Sequence, residues 1–325
     1  MRDRDNVFFT IVIPAYNSCE MLRRCLDAIE KIDYSDFETI VVDDGSTDDT
    51  ADMVRQYPSV KYIHQKNQGP AAARNNGAKA ASGDLLFFTD ADCIPPPNIL
   101  SRYAPHFDKT DIAGMGGGYR TFNTEKAVAR YVGLEIQFRH QQALPGQTKA
   151  FGTYNCVFKK DVFLEAGGFD TGFKQASGED FDFCYRLVEN GHKLNFDPDI
   201  LVYHEHPDSI TKYLKQQYKR GTTRTRNIFR HKKTAVSDNY VEKSVKWQPP
   251  LAAGILLGIL LLVLSPGLGL ACIALCSGLL LLSNREFYKF IIKNDSGLLP
   301  LTVLLSFLKP VTWGLGAAKY VIDRD

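Results

Sequence analysis

Between residues 8 and 92, four short apolar runs alternate with three helix-like stretches, and this alternation limits the fold more than any other feature of the chain. Residues 8–14 (FFTIVIP) form a β-branched apolar run. AYN follows, then an amphipathic pattern over about 18–30, with Asn17 placed as cap and Glu20 three residues on. Residues 37–43 (FETIVVD) are the second run. In the DDGSTDDT loop after it, Ser46 and Thr47 suit the start of a helix reaching about Tyr57. Residues 60–64 are a third, shorter run, and Pro70 opens an Ala-rich helix that ends near Gly83. Strands that read as unbroken apolar runs are buried on both faces, and connections long enough for a helix join parallel neighbours. The expected fold is α/β, with a doubly wound, mostly parallel sheet.

The fourth run, DLLFFTDAD at 84–92, ends in two carboxylates two residues apart. If the chain stays extended there, Asp90 and Asp92 face the same side. In open α/β sheets that end of a strand borders the ligand crevice. Two close carboxylates repel unless a proton or cation lies between them, and hard oxygen ligands suit Mg²⁺ or Mn²⁺. The competing reading is a turn or cap ahead of Pro95, Pro96 and Pro97.

Beyond residue 110 the pattern changes. A Gly-rich strand-like segment (IAGMGGGYR) precedes a helix over 125–142 and a second alternating segment, KAFGTYNCVFKK. Glu179 and Asp180, after Gly178, open a helix that stops at Gly191. Acids at a helix start have an ordinary explanation, since they offset the dipole. Residues 209–233 hold nine Lys or Arg and no acid. This block reads either as a solvated face or as a helix lying on anionic lipid headgroups.

Residues 251–264 and 268–282 are Leu-rich runs split by Ser265, Pro266 and Gly267. Lys243 and Lys246 precede the pair, and Arg285, Lys289 and Lys293 follow it. Basic flanks at both ends favour a hairpin of two short spans with both ends cytoplasmic over one kinked helix. Residues 298–318 are apolar but interrupted by Lys309 and Pro310, and they read as an interfacial or re-entrant helix, or a third span. The resulting division is 1–110 and 111–207 for the two halves of a globular domain, 208–246 for basic interfacial helices and 247–325 for a membrane tail. The net charge of +2 gives no global case for nucleic acid. Seven cysteines without CxxC read as reduced thiols. The first residues show no apolar signal-peptide core.

Five segments in order, VFFTIVIPAYN, ETIVVDDGSTDDT, NQGPAAARNNGAKAASGDLLFFTDAD, GTYNCVFKKDVFLEAGGFD and GEDFDFCYRL, resemble the signatures of family-2 glycosyltransferases of the GT-A fold. The resemblance covers about residues 7–230. It implies inverting transfer of a sugar from a nucleotide diphosphate, a UDP- or dTDP-sugar favoured, to a glycan or lipid-linked acceptor. It places Pro14, Ala15 and Tyr16 under the base, with Asp43, Asp44, Arg74 and Asp90 on the nucleotide. Asp92, Asp90 and His204 become ligands of Mg²⁺ or Mn²⁺, with His206 in reserve. Asp180 becomes the base with Glu179 in support, and Gly152, Asn155 and Arg220 line the sugar and acceptor pocket.

Processive members carry Q-x-x-R-W, but here Gln217, Tyr218, Lys219 and Arg220 run into Gly221. The missing tryptophan favours addition of one sugar or a few at the cytoplasmic leaflet of a membrane. The alternatives are a processive polysaccharide synthase, a sugar nucleotidyltransferase, a glycosidase or a non-catalytic nucleotide-binding membrane scaffold.

Overall fold

The computed structural model describes residues 7–108, 110–142, 146–173, 177–238 and 247–323. Lys243 and Lys246 lie outside them. In chain order the elements begin with β1 (Phe9–Ala15), α1 (Cys19–Ile29), β2 (Phe37–Asp43), α2 (Thr50–Val54), β3 (Val60–His64) and α3 (Pro70–Ala80). Next come β4 (Leu85–Thr89), β5 (Cys93–Ile94), α4 (Ile99–Phe107), β6 (Ile112–Thr121), α5 (Ala127–Gln142), β7 (Gly146–Thr148) and β8 (Asn155–Lys159). Then follow α6 (Lys160–Glu165), α7 (Glu179–Glu189), β9 (Lys193–His204), α8 (Ile210–Arg230) and α9 (Lys232–Val236). The tail holds α10 (Gln248–Leu264), α11 (Pro266–Ser283), α12 (Arg285–Asp295) and α13 (Leu299–Ile322).

The chain forms two compact units. The first comprises Met1–Phe122, Ala143–Glu205 and His231–Tyr240; the second comprises Asn123–Gln142, His206–Arg230 and Val241–Asp325. The units therefore do not follow linear order. α5, expected inside the globular domain, groups with the tail, whereas α9 belongs to the first unit.

In the first unit one sheet runs β3-β2-β1-β4-β8-β6-β9-β5, with β7 also paired to β9. β3, β2, β1 and β4 are mutually parallel, as the alternation predicts. The winding reverses between β1 and β4, so the crevice beyond their carboxyl ends is the switch point of the sheet. β8 then enters antiparallel to both β4 and β6, which makes the whole sheet mixed. The glycines of β6 have a steric reason: a Cβ on Gly116 would lie 2.4 Å from the Phe151 ring, so only a bare backbone fits.

In the second unit, α10 and α11 form a tight antiparallel hairpin. Gly258 packs on Ile273 and Gly269, and the extended Ser265 turns the chain. Val263 and Leu264 at its tip are more than four-fifths exposed. Contiguous apolar surface of this kind marks a lipid or protein interface. α11 and the stretch Arg285–Ile322 are long and apolar enough to cross a membrane, while α10, with 17 residues, is shorter. α13 runs on through Lys309 and Pro310, and Lys309 Nζ donates to Glu135 Oε1 of α5 at 2.6 Å, neutralising its charge within the unit. α8 also runs through Gly221 without a break. A Cβ there would meet the Trp313 carbonyl at 2.2 Å, and one on Gly316 would meet the Tyr218 carbonyl at 2.1 Å. The space beside residue 221 is thus filled by the backbone of α13.

Candidate active site

The end of β1 supplies the first wall. Pro14 and Ala15 are buried in the strand, and Tyr16 emerges beyond it, 52% exposed. Asn17 adopts the left-handed region (φ 48°), which its short polar side chain tolerates. Its Oδ1 accepts the Thr47 N–H at 2.8 Å, and its own N–H donates to Ser46 Oγ at 2.9 Å. Asn17 is therefore not the cap of α1. It ties the β1 loop to the β2 loop next to Tyr16.

Asp43 and Asp44, expected on the base or ribose, are 1% and 3% exposed and engage donors of the chain itself. Asp43 accepts from the Ser46 N–H and the Tyr62 hydroxyl. Asp44 accepts from Gln65 Nε2 and the N–H groups of Gln68 and Gly69, all within 2.8 Å. Both acids fold the rim loops, because buried N–H groups must find acceptors.

Beyond β4 the chain turns instead of extending: the Cys93 N–H donates to the Asp90 carbonyl at 3.0 Å. Asp90 and Asp92 thus stay together through a tight turn and not through strand alternation, and they part in role. Asp90 Oδ1 accepts Arg74 Nη2 at 2.6 Å. Asp92 Oδ1 faces His204 Nε2 at 3.6 Å, and among the described residues these two and Cys93 form the one group with ligand atoms within 4.8 Å of one another. Burial, with Asp90 nearby, pushes the Asp92 carboxyl above its usual range, against the opposing pull of His204. A site that strains to stay anionic fits a divalent cation held by Asp92 and His204. Of the two candidate histidines, His206 belongs to the second unit, where Asn123 brackets its backbone.

Arg74, expected near the base, is instead a buried bridge. It is 2% exposed, and its other terminal nitrogen, Nη1, donates to Glu179 Oε1 at 2.9 Å. Glu179, itself 2% exposed, also accepts the Ser177 N–H. Its carboxylate is therefore committed to holding the start of α7. Gly178, at φ 90°, lets the chain turn into that helix.

Asp180 is next. Burial in its surroundings, then the charge of Glu179, push its carboxyl up to about 7, with Arg74 pulling the other way. It keeps part of its surface open to solvent. A Cβ on Gly152 would lie 2.4 Å from the Tyr154 ring, so only a bare backbone fits there, with Asp180 Oδ2 at ordinary contact distance. Asn155, expected to line the pocket, is fully buried. Its Nδ2 donates to the Gly118 and Ile200 carbonyls at 2.8 Å, and its Oδ1 accepts from Tyr103. It stitches β8 to its neighbours and has no face left for a sugar. Arg220 lies on α8 in the second unit and helps lower the pKa of Glu135 there, after Lys309.

Two tyrosines were not singled out from the sequence. The Tyr119 ring lies 5.3 Å from the His204 ring and 4.2 Å from that of Tyr154, packing the imidazole from one side. The one available signal was Tyr154, inside the GTYN segment.

The glycosyl transferase family 2 model matches residues 10–167. The glycosyltransferase AglE of Haloferax volcanii is 31% identical over 225 residues, covering 66% of this chain and 72% of that protein. The pre-mycofactocin glycosyltransferase of Mycobacterium tuberculosis is 31% identical over 214 residues, 63% of this chain but 44% of its own length. The chain thus spans less than half of that relative. A solved mannosyltransferase from Pyrobaculum calidifontis, in complex with GDP-Man and Mn²⁺, has the same fold at TM-score 0.64 and 19% identity, covering 99% of this chain and 89% of its own.

Proposed function

This chain belongs to glycosyl transferase family 2, with a GT-A fold, and on that premise we propose that it moves a sugar from a nucleoside diphosphate donor to an acceptor hydroxyl. The observation that carries the reading is the Arg74 bridge. One guanidinium binds Asp90, in the turn that bears Asp92, and Glu179, the neighbour of Asp180, so the turn with the candidate metal ligand is tied to the helix start with the candidate base. Asp180 is the base: a carboxyl with a pKa near the working pH best combines ionised population with basicity. It takes the proton of the attacking hydroxyl on the face opposite the departing diphosphate, and the anomeric centre inverts. Asp92 and His204 would hold Mg²⁺ or Mn²⁺, which would supply Lewis acidity to offset charge on the diphosphate. The exposed Tyr16 ring stacks on the base of a UDP- or dTDP-sugar.

The acceptor is a membrane-proximal glycan or lipid-linked saccharide. The Leu-rich hairpin and the basic residues of α8 support a position on the cytoplasmic face of a membrane. A processive synthase is disfavoured by Gly221, where the α13 backbone leaves no room for a stacking tryptophan.

A screen of UDP-, dTDP- and GDP-sugars by thermal stabilisation in Mn²⁺ tests the donor site. One nucleotide class should raise the melting temperature in Mn²⁺ and not in chelator. Asp92→Ala should weaken that binding by about tenfold or more. Binding that ignores both chelator and Asp92→Ala would overturn the metal assignment.

A further inference from the structure

We propose that residues 231–238 form a strap that braces the helix bearing Asp180, and that His231, clamped between Asp182 and Glu189, is the positioning residue that fastens it. The inference rests on the transfer reading above and deepens it.

Residues 231–240 belong to the first unit, although the chain before and after them belongs to the second. Their helix, α9, has five residues, too few to persist in water without tertiary contacts. Side-chain hydrogen bonds to α7 supply those contacts. His231 Nδ1 meets Glu189 Oε2 at 2.9 Å, and its Nε2 meets Asp182 Oδ1 at 3.2 Å. The Thr234 hydroxyl donates to Glu189 Oε1 at 2.8 Å, and the Tyr185 hydroxyl donates to Asp238 Oδ2 at 2.8 Å. Lys149 Nζ donates to Ser237 Oγ at 2.6 Å. His231, Thr234, Ala235 and Asp238 are all buried.

Both ring nitrogens of His231 face carboxylate oxygens, and only the protonated imidazole donates at both. The Asp182 bond raises the His231 pKa, burial opposes it, and Glu189 adds to the rise. Asp182 and Glu189 lie about two turns apart, so the ring runs along one face of α7 and joins its first turn to its last. The other oxygen of Asp182 accepts Arg186 Nε at 3.1 Å, and Arg186 in turn donates to the Ala166 and Gly168 carbonyls.

The first turn of α7 carries three acids, Glu179, Asp180 and Asp182. Arg74 fixes Glu179, and His231 fixes Asp182. At about 100° per residue, Asp180 points to the side of the helix opposite Asp182, so the strap supports the turn from the side away from the base. A shift of about 1 Å in a reacting group costs about a hundredfold in rate, which gives this support a catalytic consequence.

The test combines hydrogen exchange, read by mass spectrometry, with steady-state kinetics on the full chain in detergent. Turnover is the nucleotide released from the donor that the thermal screen selects. His231→Gln keeps a polar side chain but donates to one acid only. It should speed amide exchange over residues 232–237 and in the first turn of α7 by about tenfold or more, while β1 to β4 exchange as in the wild type. It should lower kcat by about tenfold or more and leave the donor KM and nucleotide affinity in Mn²⁺ within about twofold. Tyr185→Phe and Thr234→Val each remove one bond of the strap and should move exchange and kcat the same way in smaller steps, which keeps the relation readable if His231→Gln folds poorly. Circular dichroism checks that each variant is folded. Unchanged exchange over residues 232–237 in His231→Gln overturns the strap. Faster exchange there with kcat unchanged makes it scaffold and overturns the positioning role. A wild type that releases no nucleotide from any donor overturns the transfer reading and the positioning role together, while the exchange readings, which need no turnover, still decide whether His231 fastens the strap.

Discussion

Asp180→Asn should lower kcat by about a thousandfold while nucleotide affinity in Mn²⁺ changes by no more than about twofold. Asparagine keeps the size and the polar character of the side chain but cannot accept the proton of an attacking hydroxyl. Stability should move the other way. The folded-state pKa of Asp180 is raised from 3.8 to about 7, so the folded chain binds this proton more tightly than the unfolded one. The stabilisation from that proton is complete below about pH 4 and is lost as pH rises through about 7. Above that range the carboxylate is a burden that Asn removes, so the variant should melt no lower than the wild type. A variant that retains turnover would take the role of base away from Asp180. One that loses both turnover and melting temperature would assign it to the scaffold.

Arg74→Met should do the reverse, collapsing stability first. It leaves Glu179 buried without its cation and Asp90 without its partner, and breaking a buried pair in this way costs about 3–5 kcal/mol. For a unit of this size the melting temperature should fall by about 10 °C or more. Arg74→Lys should rescue little, since one ammonium cannot offer the two divergent donors that reach both acids. Glu179→Gln should also lower stability and move the acid limb of turnover to lower pH without abolishing it, because the Glu179 charge helps to raise the Asp180 carboxyl, and this separates the two neighbouring acids. A melt of Arg74→Met within about 2 °C of wild type would show that the bridge does not hold the site together.

What could be read from the chain follows how local each cause is. The strands β1 to β4 and their helices were legible because the apolar runs, the proline at the start of α3 and the glycine after α7 act within a few residues. The antiparallel entry of β8 was not, since a strand's own sequence does not name its partner. Asp92, His204 and Asp180 were singled out by residue type and order alone. Asp43, Asp44 and Asn155 were assigned to ligands because sequence shows an acid or amide but not whose N–H or carbonyl it meets. Lys309 looked like a helix interruption, but its partner Glu135 lies 174 residues earlier. Arg74 likewise meets Glu179 from 105 residues away, a pairing that no local pattern announces.

The most direct measurement is the pH dependence of kcat/KM for sugar transfer, followed from about pH 5.5 to 9 at saturating metal. The rate should climb tenfold per pH unit on the acid side and level off through an apparent pKa near 7, and the residual activity of Asp180→Asn should lack that limb. A flat profile over this range, or an acid limb that survives in Asp180→Asn, would contradict the assignment of Asp180 as the group that deprotonates the acceptor.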